Sequence, residues 1–309
     1  MALMFKSTGD DPVGWKKYLD EYGAGVEMRV WPDVGRLEDI EYALVWRPEP
    51  GDLKRYPNLK AIFSMAAGVD HIFLDKELPK GVPVCRIKDS DLTAQMSEYA
   101  IYGVLHYHRH MAGYAKAQSE SAWQKHPRGD TTRTDVGVMG VGEIGGDTAR
   151  KLAALGFRVH GWSRTAKTIP GITVHHGLDR LPAFLGTCRQ VICVLPLTAA
   201  TDGILNARTF AQMPKGSFLI SMGRGRHIVD ADLIAALDSG QLAGAMLDVF
   251  HKEPLPSDHP FWRHPKVIVT PHIAGDLNPR TCAMQVAENI KRHKKGEALK
   301  NVVNPDAGY

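Results

Sequence analysis

Short apolar runs alternate along the chain with stretches whose apolar positions recur at helical spacing. Ala2–Lys6, Glu27–Trp31, Tyr42–Trp46, Lys60–Met65 and Val82–Arg86 read as strands, with helices over Val13–Tyr22 and Val69–Lys76. Thr93–Trp123 carries no proline and reads as one long helix, or two helices broken near Gly113. After the turn-rich His126–Asp130, a second series begins. Its strands are Asp135–Met139, Phe157–Trp162, Gln190–Leu195, Ser217–Ser221, Ala243–Leu247 and Val267–Thr270, with helical patterns over 143–155, 178–185, 206–213 and 231–239. Strands alternating with helices predict an α/β fold in which parallel sheets are covered on both faces.

The closing helix, Arg280–Lys295, follows the second series, while the first series lacks a closing helix of its own. The tail is therefore expected to return, giving one domain of residues 1–98 plus 281–309 and another of 99–280. A chain of 309 residues is also longer than one core comfortably supports. With 44% hydrophobic and 23% charged residues, the composition is that of a globular protein. A net charge of +4 with no long basic run argues against nucleic acid. The basic run Lys291–Lys295 suits a solvated helix C-terminus. No apolar run reaches membrane-spanning length, and the N-terminus lacks a signal-peptide pattern. Cys85, Cys188, Cys193 and Cys282 have no metal or redox spacing and read as reduced thiols of a cytoplasmic protein. His106 and His110 would be neighbours on a helix, yet no third ligand has sensible spacing, so no metal is expected.

Candidate chemistry concentrates where strands end. Gly140-Val141-Gly142-Glu143-Ile144-Gly145 is a GxGxxG run placed after a strand and opening a helix. Gly140 permits the tight turn, Gly142 a close approach to a pyrophosphate, and Gly145 close packing of helix on strand. The helix start then offers N–H groups to phosphates. The next strand ends Ser163-Arg164-Thr165, with Lys167 close behind, where an NAD-binding chain would place an acid. Cations and hydroxyls there suit a 2′-phosphate, so NADP(H) is the expected cofactor. Three further segments, Ser221–Gly225, Leu247–Glu253 and Thr270–Gly275, deliver Arg224, Glu253 and His272 to the same ends of the strands.

These segments, with Ala66-Ala67-Gly68-Val69-Asp70, Trp162-Ser163-Arg164, Leu195-Pro196, Gly244–Phe250, Glu253-Pro254-Leu255-Pro256 and Thr270-Pro271-His272, resemble the D-isomer-specific 2-hydroxyacid dehydrogenase family, and within it the glyoxylate/hydroxypyruvate reductase A type. Ser221-Met222-Gly223 departs from the Asn-x-Ala more usual there and is expected to loosen local packing. The resemblance implies two Rossmann-like domains around a cleft, a flavodoxin-like substrate domain and a dinucleotide-binding domain. It implies NADPH-dependent reduction of small 2-oxo acids, glyoxylate to glycolate and hydroxypyruvate to D-glycerate, by a homodimer built around the helix after Thr93.

The roles carried over make chemical sense. Arg224 would hold the carboxylate and ketone, His272 would donate the proton, and Glu253 would pair with the imidazole and favour its donor form. Leu195, Pro196, Thr201, Met222, Gly223 and Asp248 would line the cofactor, although Asp248 also fits a structural cap. Ala66, Ala67 and Gly68 would hold the substrate carboxylate, and Asp70 would N-cap or orient that loop or else touch substrate. Trp46 lines the substrate side or packs structurally. Two other readings fit the same residues: a reductase of larger aromatic or branched 2-oxo acids, and a non-catalytic NADP(H) sensor on the same fold.

Overall fold

The computed structural model describes residues 1–7 and 9–304. The chain divides into two compact units, Met1–Leu92 with Leu277–Tyr309, and Thr93–Asp276. Among the described residues, no helix is long and apolar enough to cross a membrane.

The first unit holds β1 (Ala2–Lys6), α1 (Pro12–Glu21), β2 (Glu27–Val30), β3 (Ile40–Val45), β4 (Ala61–Ser64), α2 (Asp70–Phe73) and β5 (Val84–Cys85). All five strands are parallel, in the order β2-β1-β3-β4-β5. This is the flavodoxin-like order. β1, β3 and β4 are apolar nearly throughout because both faces of the sheet are covered. On one face, Leu3, Phe5, Tyr42 and Phe63 pack with Trp15 and Leu19 of α1 and with Cys282, Ala283, Val286, Ala287 and Ile290. Those last five lie on one stripe of the final helix, Pro279–Lys294, which starts at a capping Asn278. The tail then bonds to the open side of β5, Val303 N–H donating to the Val84 carbonyl at 2.8 Å. Lys6 is buried and paired with Asp52, its ammonium 4.0 Å over the Trp31 ring.

The second unit runs α3 (Ser90–His108, which the chain enters in its first turn), α4 (Met111–Ser119), β6 (Asp135–Met139), α5 (Glu143–Ala154), β7 (Arg158–Ser163), β8 (Thr173–His176), α6 (Leu181–Thr187), β9 (Gln190–Cys193), α7 (Ala207–Gln212), β10 (Ser217–Ser221), α8 (Asp230–Asp238), β11 (Leu242–Leu247) and β12 (Val267–Val269). The final helix is α9. Seven parallel strands lie in the order β12-β11-β10-β9-β6-β7-β8. Counted from β6, this is the doubly wound Rossmann order, and it reverses between β6 and β9.

Two local expectations change. The break in the long helical stretch falls at His110, not at Gly113. His110 takes the left-handed φ of +55°, and its N–H bonds back to the Tyr107 carbonyl. Gly113 instead lies inside α4, where a Cβ would come within 2.6 Å of His126 Nε2. The glycine serves a close approach. His106 and His110 consequently do not share a helix face. The second change is β8, which the periodicity did not predict. Its residues are exposed or half-buried, because it closes the edge of the sheet against β7 alone.

All four cysteines are buried free thiols. Burial pushes Cys85, Cys193 and Cys282 up to about 12 and raises Cys188 as well. They are therefore unreactive packing residues.

Candidate active site

The glycine loop sits at the point where the strand order of the second unit reverses. Gly140 has φ +99°, and a Cβ there would meet the Val194 carbonyl at 2.9 Å, so the ends of β6 and β9 touch through it. At Gly145 a Cβ would lie 1.9 Å from the Gly140 carbonyl; only glycine lets α5 start so close to β6. Around Gly142 a Cβ would meet nothing within 4 Å, which leaves room for a ligand's backbone at the start of α5. The first-turn N–H groups of that helix, at Glu143, Ile144 and Gly145, have no acceptor within the helix itself. The cradle thus fits a pyrophosphate.

At the end of β7, Ser163 is buried and its hydroxyl donates to the Thr165 carbonyl at 2.7 Å. Arg164 and Thr165 are exposed. Lys167 reaches back to the Val141 carbonyl at 3.1 Å, over the glycine loop. The cations thus flank the end of β7, as a 2′-phosphate requires. After β9, Leu195 is buried and Pro196 half-buried. Thr201 is buried too, and its hydroxyl ties the loop by donating to the Pro196 carbonyl at 2.7 Å while accepting from Thr198 N–H at 2.8 Å. Its visible part is to shape this segment.

The segment after β10 is tightly packed. Met222 is 2% exposed, and a Cβ on Gly223 would press on the Leu195 carbonyl at 2.9 Å. Gly223 therefore lets the two loops approach closely, and the expected looseness around Ser221-Met222-Gly223 is not seen. Arg224 is half-buried, with Nη1 donating to the Gly223 carbonyl at 2.9 Å and its backbone N–H donating to His227 Nδ1 at 3.1 Å. At Gly225 a Cβ would fall 2.0 Å from the Phe250 carbonyl carbon. This glycine, which carried no chemistry in the sequence, lays the Arg224 loop against the loop of Glu253.

Glu253 is held by its own turn, Oε1 accepting from Phe250 N–H at 3.0 Å. Its other oxygen, Oε2, lies 2.9 Å from His272 Nδ1. Bonding of Nδ1 to a carboxylate leaves Nε2 as the ring atom available for proton transfer. His272 itself has φ +56°, a left-handed conformation uncommon for a residue with a side chain. Asp248, expected beside the cofactor, is fully buried. Its oxygens accept from Thr270 Oγ1 at 2.6 Å and from the N–H groups of Ile273 and Ala274 at 2.8 Å each.

The first unit carries its own candidate residues. Ser64 Oγ accepts from Ala66 N–H at 3.1 Å and donates to the Gly68 carbonyl at 3.2 Å, bending the chain after β4. Among the described residues, no hydrogen bond engages the N–H groups of Ala67 or Gly68. Trp46 packs on the apolar cluster, with the His71 ring 4.5 Å away and the Arg47 guanidinium 5.1 Å over its ring. Among the described residues, no group of three or more His, Cys, Asp or Glu is arranged to hold a metal.

Residues 101–274 match the family model described as D-isomer specific 2-hydroxyacid dehydrogenase, NAD binding domain. A glyoxylate/hydroxypyruvate reductase A from Yersinia enterocolitica is 41% identical over 315 aligned positions, covering 100% of both chains. A D-isomer specific 2-hydroxyacid dehydrogenase from Xanthobacter autotrophicus Py2, solved with NADPH and MES, has a TM-score of 0.94 at 40% identity over 100% of this chain and 99% of its own. An NADPH-dependent glyoxylate/hydroxypyruvate reductase from Sinorhizobium meliloti, solved with NADP and sulfate, has a TM-score of 0.91 at 37% identity and covers 100% of both chains. With matches over its full length and the Rossmann order of its second sheet, this chain belongs to the D-isomer specific 2-hydroxyacid dehydrogenase family.

Proposed function

We propose that the chain reduces small 2-oxo acids to D-2-hydroxy acids with NADPH, converting glyoxylate to glycolate and hydroxypyruvate to D-glycerate. The observation that carries this reading is the His272–Glu253 pair at 2.9 Å, on a loop laid beside that of Arg224. NADPH, when bound, supplies the hydride. The chain's own groups do the rest. Arg224 Nη1 donates to the Gly223 carbonyl, which helps orient the planar guanidinium for a carboxylate and a ketone oxygen. His272 hydrogen-bonds the ketone through Nε2 and gives it a proton, and Glu253 holds the ring through Nδ1. On the first unit, the Ala66–Gly68 turn carries N–H donors suited to a carboxylate. The buried thiols fit a cytoplasmic setting.

The test is nicotinamide oxidation against glyoxylate, hydroxypyruvate, pyruvate, phenylpyruvate and 2-oxoisocaproate, with each reduced cofactor. Fast NADPH oxidation with the first two is expected. Preference for the larger acids would reassign the substrate. Tight NADPH binding with no turnover would make the protein a sensor.

Cofactor choice has its own test. Arg164→Ala is expected to raise the KM for NADPH about 10-fold or more and to leave that for NADH within about 2-fold, because only the 2′-phosphate needs the cation. Equal losses would remove Arg164 from phosphate recognition.

We also infer a homodimer. Tyr102 and Leu105 of α3, Met111 and Tyr114 of α4, and Trp123 just beyond are all exposed, Trp123 at 97%. Exposed large apolar side chains gathered on two successive helices and the segment just after them mark a protein contact. Light scattering should give twice the 34.0 kDa chain mass, and the Tyr102→Lys, Trp123→Lys double variant should give a single chain mass. A wild-type protein of single chain mass would overturn the dimer.

A further inference from the structure

The proton-donor role leaves unexplained two side chains of α3. Gln95 and Tyr99 are four residues apart and so share one face of that helix. Both reach the segment that carries His272. Tyr99 Oη lies 2.7 Å from Thr270 Oγ1, and Thr270 Oγ1 lies 2.6 Å from Asp248 Oδ1. The direction of this chain follows from counting protons. The Asp248 oxygens are surrounded by donors, from Thr270, Ile273 and Ala274, so they act as acceptors only. Thr270 has one hydroxyl proton, and Asp248 takes it. Tyr99 must then be the donor to Thr270. Burial raises the Tyr99 phenol well above its usual value, so the proton stays in place across the neutral range.

Beyond His272, Gln95 forms a reciprocal pair with the backbone of Asp276. Oε1 accepts from Asp276 N–H at 3.0 Å, and Nε2 donates to the Asp276 carbonyl at 3.1 Å. Between these two anchors, His272 N–H bonds to the Asp248 carbonyl at 2.9 Å. His272 thus sits in the middle of a clamped segment with φ +56°. A strained conformation of this kind persists only where the surroundings over-determine it.

We propose that Tyr99, acting through Thr270 and Asp248, is a positioning residue for His272, and that Gln95 is the second anchor of the same clamp. The proposal rests on His272 being the proton donor. Its function is to hold residues 270–276 in the one backbone conformation that keeps the imidazole on Glu253 and Nε2 directed at the reacting carbonyl. Misplacement of such a group lowers the rate of the chemical step and leaves binding of either reactant largely intact.

The test is steady-state kinetics of the full chain with glyoxylate, and NADPH affinity by fluorescence, for Tyr99→Phe, His272→Ala and the double variant. Tyr99→Phe should lower kcat about 10-fold. The glyoxylate KM and NADPH Kd should stay within about 2-fold, and the same change should cause no further loss on the His272→Ala background. Thr270→Ser should keep kcat within about 2-fold, and Thr270→Val should match Tyr99→Phe. This second pair decides the matter if Tyr99→Phe folds poorly. Wild-type kcat in Tyr99→Phe would overturn the proposal, as would an equal loss with and without His272. Undiminished kcat in His272→Ala would overturn the proton-donor reading itself, a separate and distinguishable failure.

Discussion

Replacing His272 by alanine lowers kcat about 100- to 10,000-fold, the range a positioned general acid contributes. The expected signature is selective. The imidazole is bound to Glu253 and carried on the segment after β12, apart from the glycine loop that follows β6 and fits a pyrophosphate. NADPH affinity should therefore change by no more than about 2-fold. Stopped-flow turnover with glyoxylate and fluorescence titration with NADPH separate the two quantities. A large loss of NADPH affinity with normal turnover would refute the proton-donor role. The left-handed backbone at residue 272 adds a second consequence. Glycine adopts that conformation without strain, so His272→Gly should fold at least as well as His272→Ala while being equally inactive.

Arg224→Ala is expected to cost more than about 100-fold in kcat/KM, equivalent to about 2.7 kcal/mol of transition-state stabilisation. The guanidinium is half-buried and bonded to the Gly223 carbonyl, so it is held in one orientation before any substrate arrives. Lysine keeps the charge and loses the two-point geometry. Arg224→Lys should therefore recover only a small part of the rate. Near wild-type turnover of glyoxylate by Arg224→Ala would remove Arg224 from the site.

Much of the candidate site is legible in the sequence because its chemistry is carried by scarce residue types at strand ends. The glycine loop, the Ser163-Arg164-Thr165 turn, and the segments bearing Arg224, Glu253 and His272 each follow an apolar run closely. Less legible is what their neighbours do. Asp248 suited both a cofactor contact and a cap, and its three donors show how firmly it holds the His272 segment. Thr201 likewise shapes its own loop. No motif signals Tyr99, because its partner Thr270 is 171 positions away in the chain. Gly225 belongs to the Ser221–Gly225 segment, but nothing in the sequence shows its close approach to Phe250.

The sequence by itself determined the alternation of strand and helix, the return of the last helix as an expectation, the glycine turn suited to a phosphate, the cations after β7, and the candidate acid, its carboxylate partner and the candidate substrate-binding cation. These follow from local causes: side-chain period, turn residues, and functional groups placed just after a strand. The tertiary structure decided the two sheet orders, the edge strand β8, the break at His110, and the left-handed turn at His272 with the clamp around it. The physical reason is that strand pairing, close backbone approach and the direction of a hydrogen-bond chain depend on groups far apart in sequence. Only packing brings those together, and only then do burial and donor counting select one arrangement.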